Sequence, residues 1–245
     1  MTVKSTLTLA VACTLDDFQQ FHTYWYELCL NLDDRIHLLI LVQLGDRTGW
    51  DCPEPPRSNI EIALRDGLGL SRARNDCMDL CKTRWLWLMD ADSTIDEKFL
   101  SPASLNEFFS ELGQHHAVVF QRYSTAKSWQ SAEQRFLTGK SLKRLTSLGT
   151  PYLIFDCDFA NNNALRFSQL LGANSRFGWP RHGEEFAFSM GLALGGGIIN
   201  RIDYSPVNTL RPSTGEKLGN LEIYLASVVI FFVIATQWMR NKLNL

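Results

Sequence analysis

"RWLWLMDADSTIDEKF", residues 84–99, joins a core-like run of side chains to a pair of acids. Large apolar side chains from Trp85 to Met89 run unbroken into two carboxylates, Asp90 and Asp92, one residue apart. A short continuous apolar run of this kind predicts a strand buried on both faces, as parallel sheets contain. Carboxylates at i and i+2 of an extended segment point to the same side, so both can face one hard cation such as Mg²⁺ or Mn²⁺. A strand that merely reaches water also ends in acids, and only the surrounding sequence separates the two readings.

Working outward, "TLTLAVACT" (6–14) predicts a strand, "LDDFQQFHTYWYELCLNL" (15–32) a helix and "RIHLLILVQL" (35–44) a second strand. After a loop rich in Pro and Gly come the strand "IEIALR" (60–65) and a helix from about Ser71 to Lys82. Downstream, "SPASLNEFFSELG" (101–113) is a helix opened by Ser101 and Pro102 and closed by Gly113, and "HAVVFQRY" (116–123) is a strand. Residues 124–150 turn polar and basic and predict a helix or a mobile loop. "PYLIFDCDFANNNALRFSQLLG" (151–172) predicts a strand, an Asn-rich turn and a helix. "RFGWPRHGEEFAFSMGLALGGG" (176–197) predicts a loop and then a helix beginning near Glu184, where two acids suit the positive end of the helix dipole, and "GIINRIDYS" (197–205) is a last strand. Apolar strands alternating with helices give an α/β fold, a mostly parallel central sheet flanked by helices.

The chain has 245 residues, 45% hydrophobic and 20% charged, enough for one enzyme-sized domain with a small appendage. A net charge of −2 gives no global attraction to nucleic acid, so any phosphate recognition is local. The six cysteines form no CxxC pair, and Cys77 and Cys81 fall at helical spacing, which argues against zinc and against a disulfide framework. The first residues read better as a strand than as a signal peptide, which predicts a reducing, cytoplasmic compartment.

The C-terminal part is different in kind. Residues 223–239 are nearly uncharged, a length just under the ~20 that a membrane span usually needs, and Arg240 and Lys242 follow. The expected division is a catalytic domain over 1–215 and an apolar C-terminal helix over 216–245 that associates with the membrane from the cytoplasmic side, with a full span or a buried core helix as alternatives.

In α/β sheets ligands collect at the carboxyl ends of the strands, where Asp90 and Asp92 are expected. Just upstream, "DGLGLSRARNDCMDLCKT" (66–83) sets Arg72, Arg74 and Asn75 at a helix start, a place that favours phosphate through free N–H groups and bidentate arginine. The whole segment "GLGLSRARNDCMDLCKTRWLWLMDADSTID" resembles the inverting family 2 glycosyltransferases of the GT-A fold, in which an Ala-Arg-Asn helix leads to an apolar strand ending in Asp-x-Asp. "FGWPRHGEEFAFSMGLAL" resembles that family's Gly-Glu-Asp helix start. The resemblance follows element order over most of residues 6–195.

What the resemblance implies is transfer of a sugar from a nucleotide diphosphate donor to an acceptor hydroxyl on a glycan or a lipid-linked acceptor. It places Asp92 with Asp90 on the divalent cation, Mn²⁺ or Mg²⁺, and on the donor diphosphate. Thr14, Asp46, Asp66, Arg72, Arg74 and Asn75 fall on the donor side, and Glu185, with Glu184 before it, at the catalytic base. Asn162, Asn163, Trp179 and His182 are acceptor-side candidates, although an Asn run can be only a turn and Trp179 only a loop anchor. The chain departs from the family in carrying Glu185 where Asp is commoner, and in having no histidine after it as a third metal ligand. Two rival readings are a sugar nucleotidyltransferase, which normally has a Gly-rich basic first loop that "ACTLDDFQQF" lacks, and a non-catalytic nucleotide-sugar-binding component of a membrane assembly.

Overall fold

Alternating burial explains why the first half of the chain folds as it does. The computed structural model describes residues 6–113, 115–120, 126, 132–137, 152–171, 184–209, 232–236 and 239. Strand β1 (Leu7–Thr14) leads into helix α1 (Leu15–Leu30), then β2 (Ile36–Gly45), β3 (Ile60–Asp66), α2 (Leu70–Leu80) and β4 (Trp85–Asp90). β1, β2 and β4 are buried along nearly their whole length. Successive side chains enter opposite layers: Leu7, Leu9, Val11, Trp85, Trp87 and Met89 face one core, and Ala10, Ala12, Leu86 and Leu88 the other.

The first core is closed by Phe18, Phe21 and Trp25 of α1 and by Phe108 and its neighbours on α3 (Pro102–Leu112). The second is closed by Ala73, Cys77 and Met78 of α2, by α4 (Cys157–Asn162), and by Phe188 and Leu192 of α5 (Glu184–Leu194). The result is a three-layer α/β/α arrangement. The remaining strands are β5 (Ser93–Ile95), β6 (Ala117–Phe120), β7 (Gln134–Leu137), β8 (Leu153–Asp156), β9 (Ile199–Ile202) and β10 (Val207–Thr209).

Eight strands form one sheet in the order β3-β2-β1-β4-β8-β6-β9-β7, and β5 pairs with β10 in a separate ribbon. β3, β2, β1 and β4 are mutually parallel, β8 runs against β4 and β6, β9 is parallel to β6, and β7 closes the edge antiparallel to β9. The carboxyl ends of four parallel neighbours therefore open on one edge, with β4 at the border between the parallel half and the mixed half.

Two expectations change. The part of 124–150 that is described includes a strand, β7, where a helix or loop was expected; it gains its ladder from β9. After β8 the helix starts at once, because the Asp156 carboxylate accepts from Phe159 N–H at 2.9 Å and caps α4. Asn161 and Asn162 thus lie in the last turn of a helix, not in a turn preceding one. Of the apolar C-terminal segment, residues 232–236 and Met239 are helical, with Val233 buried against Leu171 and Ala187, and the rest lies outside the described residues. Among the described residues no helix is long and apolar enough to cross a membrane.

Candidate active site

The Gly-Leu-Gly turn before α2 aims the site. Gly67 sits at φ 73° and Gly69 at φ 148°, conformations that residues with a Cβ rarely adopt, and they turn the chain sharply from β3 into α2. Gly69 N–H donates to Gln43 Oε1 at 2.8 Å, tying the turn to the end of β2. On α2 the buried stripe is Ser71, Ala73, Arg74, Cys77 and Met78, at helical spacing, so Arg74 points inward while Arg72 is exposed.

Arg74 is 3% exposed and gathers acids from two other elements. Its Nη1 donates to Glu184 Oε1 at 2.9 Å and to Glu185 Oε1 at 3.0 Å, both at the first turn of α5. Its Nη2 lies 3.6 Å from Asp90 Oδ1 at the end of β4, an ion pair without hydrogen-bond geometry. Its guanidinium carbon stands 5.7 Å from the centre of the Phe167 ring, which stacks on Phe188 of α5 at 4.2 Å. Asn75 holds Phe167 in place by donating to its carbonyl and accepting from its N–H, each at 2.8 Å.

One guanidinium facing three carboxylates leaves negative charge in excess, with consequences for protonation. Glu184 is 3% exposed in its side chain, and its Oε2 has no hydrogen-bond partner among the described residues. Burial, with the Glu185 charge adding and Arg74 opposing, pushes its pKa up to about 7. Asp90 is raised as well, first by burial, against the pull of Arg74 and with Glu185 and Asp92 adding. Since 44% of the Asp90 side chain still meets solvent, it is crowded on its inner side but remains a rim group. Glu185, 16% exposed, faces outward more than Glu184.

The Asp90-Ala91-Asp92 turn is braced from α1. Trp25 Nε1 donates to the carbonyl of Ala91 at 3.0 Å, and Ile95 N–H donates to the Tyr24 hydroxyl at 2.9 Å. Neither brace is visible in the sequence: the stripe Phe18, Phe21, Trp25 predicts a core face, but nothing local marks a partner 66 residues away. The same holds for Gln43.

The other candidates divide by edge. Thr14 and Asp66 end β1 and β3, and Asp46 follows the last residue of β2, all on the same carboxyl edge as Asp90. Thr14 caps α1, its Oγ1 donating to Asp17 Oδ2 at 2.8 Å and accepting from Asp17 N–H at 3.2 Å; Asp46 and Asp66 are exposed. Asn162 and Asn163 lie elsewhere. Cys157 N–H bonds the carbonyl of Arg84, so α4 starts at the opposite edge, and Asn163 Oδ1 comes within 3.3 Å of a Cβ built on Gly195, past the far end of α5. At about 1.5 Å per residue, α5 keeps this Asn run about 16 Å from Glu184. Trp179 and His182 lie outside the described residues.

As a metal site the acidic turn offers two hard oxygen donors, and among the described residues no three His, Cys, Asp or Glu side chains are placed to hold one metal ion. Two carboxylates and an open remainder fit Mg²⁺ or Mn²⁺ completed by phosphate oxygens and water, and do not fit a closed structural site.

Residues 56–166 match the Glycosyl transferase family 2 model, which spans α2, β4 and the acidic turn. TarS of S. aureus, residues 1-349 in complex with UDP, superposes with a TM-score of 0.64 at 11% identity, covering 95% of this chain and 65% of that one. The same TarS fragment in complex with UDP-GlcNAc gives 0.62 at 12% identity, with 96% and 72% covered, and a crystal structure of S. aureus TarS gives 0.61 at 12% identity, with 92% and 39% covered. The chain therefore spans between 39% and 72% of the length of these TarS chains. No curated protein matches by sequence. Parallel half-sheet, acidic strand end and family match lead to one conclusion: the chain has the α/β fold of the GT-A glycosyltransferase structures, and its residues 56–166 resemble glycosyl transferase family 2.

Proposed function

We propose that the chain transfers a sugar from a nucleotide diphosphate donor to an acceptor hydroxyl with inversion at the anomeric carbon, using a divalent cation. The observation that supports this best is the meeting of β4, α2 and α5 at Arg74, which sets a carboxylate of α5 beside the acidic end of β4. Glu185 is the base: of the two glutamates it is the one solvent and acceptor reach, and Arg74 fixes one of its oxygens. It takes the proton of the acceptor hydroxyl as that oxygen attacks the anomeric carbon from the face opposite the leaving diphosphate. Asp92 and Asp90 would hold a divalent cation there, and its charge would offset that of a departing nucleoside diphosphate. Glu184 stays buried as the second anchor of Arg74.

Thr14, Asp46 and Asp66 border the donor on the same edge, and Arg72 lies exposed on the first turn of α2. The acceptor is a glycan or lipid-linked hydroxyl of cell-surface polysaccharide or glycoconjugate synthesis, reached from the cytoplasmic membrane face through residues 223–239. This part of the reading is supported by composition alone.

The test is a panel of nucleotide sugars with Mn²⁺, beginning with UDP-GlcNAc because TarS was solved with it, read as released nucleoside diphosphate. Glu185→Gln lowers kcat by about 10²- to 10⁴-fold in a chain that melts normally, and Asp92→Asn removes the response to Mn²⁺. Absence of turnover with every donor, or turnover untouched by both substitutions, defeats the reading.

A further inference from the structure

β3 is the outermost strand of the parallel half, and among the described residues no strand pairs with its free side. Which of its backbone groups face outward follows from the register. Leu38 aligns with Ile60, and Leu38 N–H donates to the carbonyl of Asn59 at 2.9 Å. In a parallel ladder this turns residues 59, 61, 63 and 65 toward β2 and leaves the N–H and C=O groups of Ile62 and Leu64 pointing away from the sheet. Proteins usually blunt such an edge with Lys, Pro or a bulge. β3 contains neither Lys nor Pro, Leu64 is 41% exposed, and the register shift lies on the β2 side, between Gln43 and Gly45.

We propose that β3 pairs with β3 of a second copy of this chain, antiparallel about a two-fold axis at Ala63, so that two sheets join into one. The strand "IEIALRD" is self-complementary in that register. Ile62 of one copy stands opposite Leu64 of the other; both face outward, so the pair exchanges two N–H···O bonds, and the axis repeats it. A slip by one residue sets outward groups against inward ones and loses these bonds. A slip by two keeps the parity but leaves strand ends unpaired. On one face the apolar Ile62 and Leu64 meet, and on the other Ala63 lies against its own copy, small enough for the close spacing there. Beside it Glu61 stands opposite Arg65. Glu61 already bonds Lys82 and Arg65 already bonds Asp76, so across the axis they contribute unlike charge in register rather than a new bond. A net charge of only −2 per copy opposes the association little.

Antiparallel pairing inverts one copy relative to the other. The carboxyl ends of the parallel strands then open on opposite sides of the joined sheet, and the two acidic turns stay independent.

Sedimentation of the full chain from about 1 μM to about 1 mM, the range in which weak interfaces populate, is expected to show a reversible monomer–dimer equilibrium. Ile62→Pro removes an outward N–H and leaves the ladder to β2 whole, and Leu64→Lys sets a cation on the free edge. Each is expected to weaken dimerisation by roughly tenfold or more at an unchanged melting temperature. Cys52 is exposed, so Ala63→Cys is made in a Cys52→Ser background; air oxidation is expected to link two copies, found as a peptide carrying residue 63 joined to itself. A wild-type chain that stays monomeric throughout overturns the proposal, and so does a dimer that both edge variants leave unchanged. Should those variants fold poorly, the wild-type series and the link at residue 63 decide: a dimer without that link uses another surface and overturns it too.

Discussion

Arg74→Met tests the electrostatic account of the site most directly. The substitution keeps most of the buried stem and removes the cation that pairs with Glu184 at 2.9 Å and Glu185 at 3.0 Å. Leaving one partner of a buried pair uncompensated costs about 3–5 kcal/mol. For a chain of this size each kcal/mol lowers Tm by roughly 2–4 °C, so the expected fall at pH 8 is on the order of 10 °C. Glu184 makes the loss depend on pH. At pH 8, above its pKa of about 7, it is mainly a carboxylate in the wild type, and without Arg74 it must take up a proton or stay charged without a partner. At pH 5 it already carries that proton, and the loss shrinks to what Glu185 and Asp90 contribute. The assay is thermal unfolding of wild type, Arg74→Met, Glu184→Gln and the double variant at both pH values. The double variant is expected to recover much of the loss at pH 8. A Tm for Arg74→Met within about 2 °C of wild type, or an equal loss at both pH values, refutes the reasoning.

Two further outcomes follow from the same neighbourhood. Because the folded-state pKa of Glu184 is raised from 4.5 to about 7, the stability linked to its neutral form is complete below pH 4.5 and lost as the pH rises through 7, up to about 3 kcal/mol. Glu184→Gln, which cannot titrate, is expected to flatten urea midpoints across that window, and an unchanged slope would assign the dependence to other groups. Asn75→Ala breaks two hydrogen bonds to the Phe167 backbone, about 2 kcal/mol at ~1 kcal/mol each, and is expected to lower Tm by roughly 4–8 °C without altering nucleotide affinity; a loss of affinity at unchanged Tm would place Asn75 on the donor instead.

The first half of the fold was legible because its signals are local. β1, β2 and β4 are long apolar runs with a residue for each layer, and Ser101 with Pro102 marks the start of α3. The later elements lack such signals. β7 alternates no apolar face, with Arg135 and Phe136 both exposed, and exists because β9 offers it a ladder. β5 and β10 are three residues each, too short for any period to show. "FDCDF" looks like strand continuing, and only the cap made by Asp156 shows that α4 has begun. At the site, Arg72 and Arg74 look equivalent as phosphate-side cations; the stripe Ser71, Arg74, Cys77, Met78 distinguishes them and could have been read beforehand. That Arg74 closes on Glu184 and Glu185, 110 and 111 residues away, is tertiary information that no local pattern carries.

The bracing of the acidic turn by Tyr24 and Trp25 bears on the order in which the molecule is made. All its parts lie between Leu7 and Ile95, so the turn can assemble while the chain is still being synthesised. The two glutamates that answer Arg74 emerge about ninety residues later, a delay of roughly 5–20 s at ordinary rates of translation. Throughout that interval α2 presents an arginine whose anions from α5 do not yet exist. Docking of α5 therefore neutralises a charge as well as burying Phe188 and Leu192, and the early half of the sheet waits electrostatically for the later one.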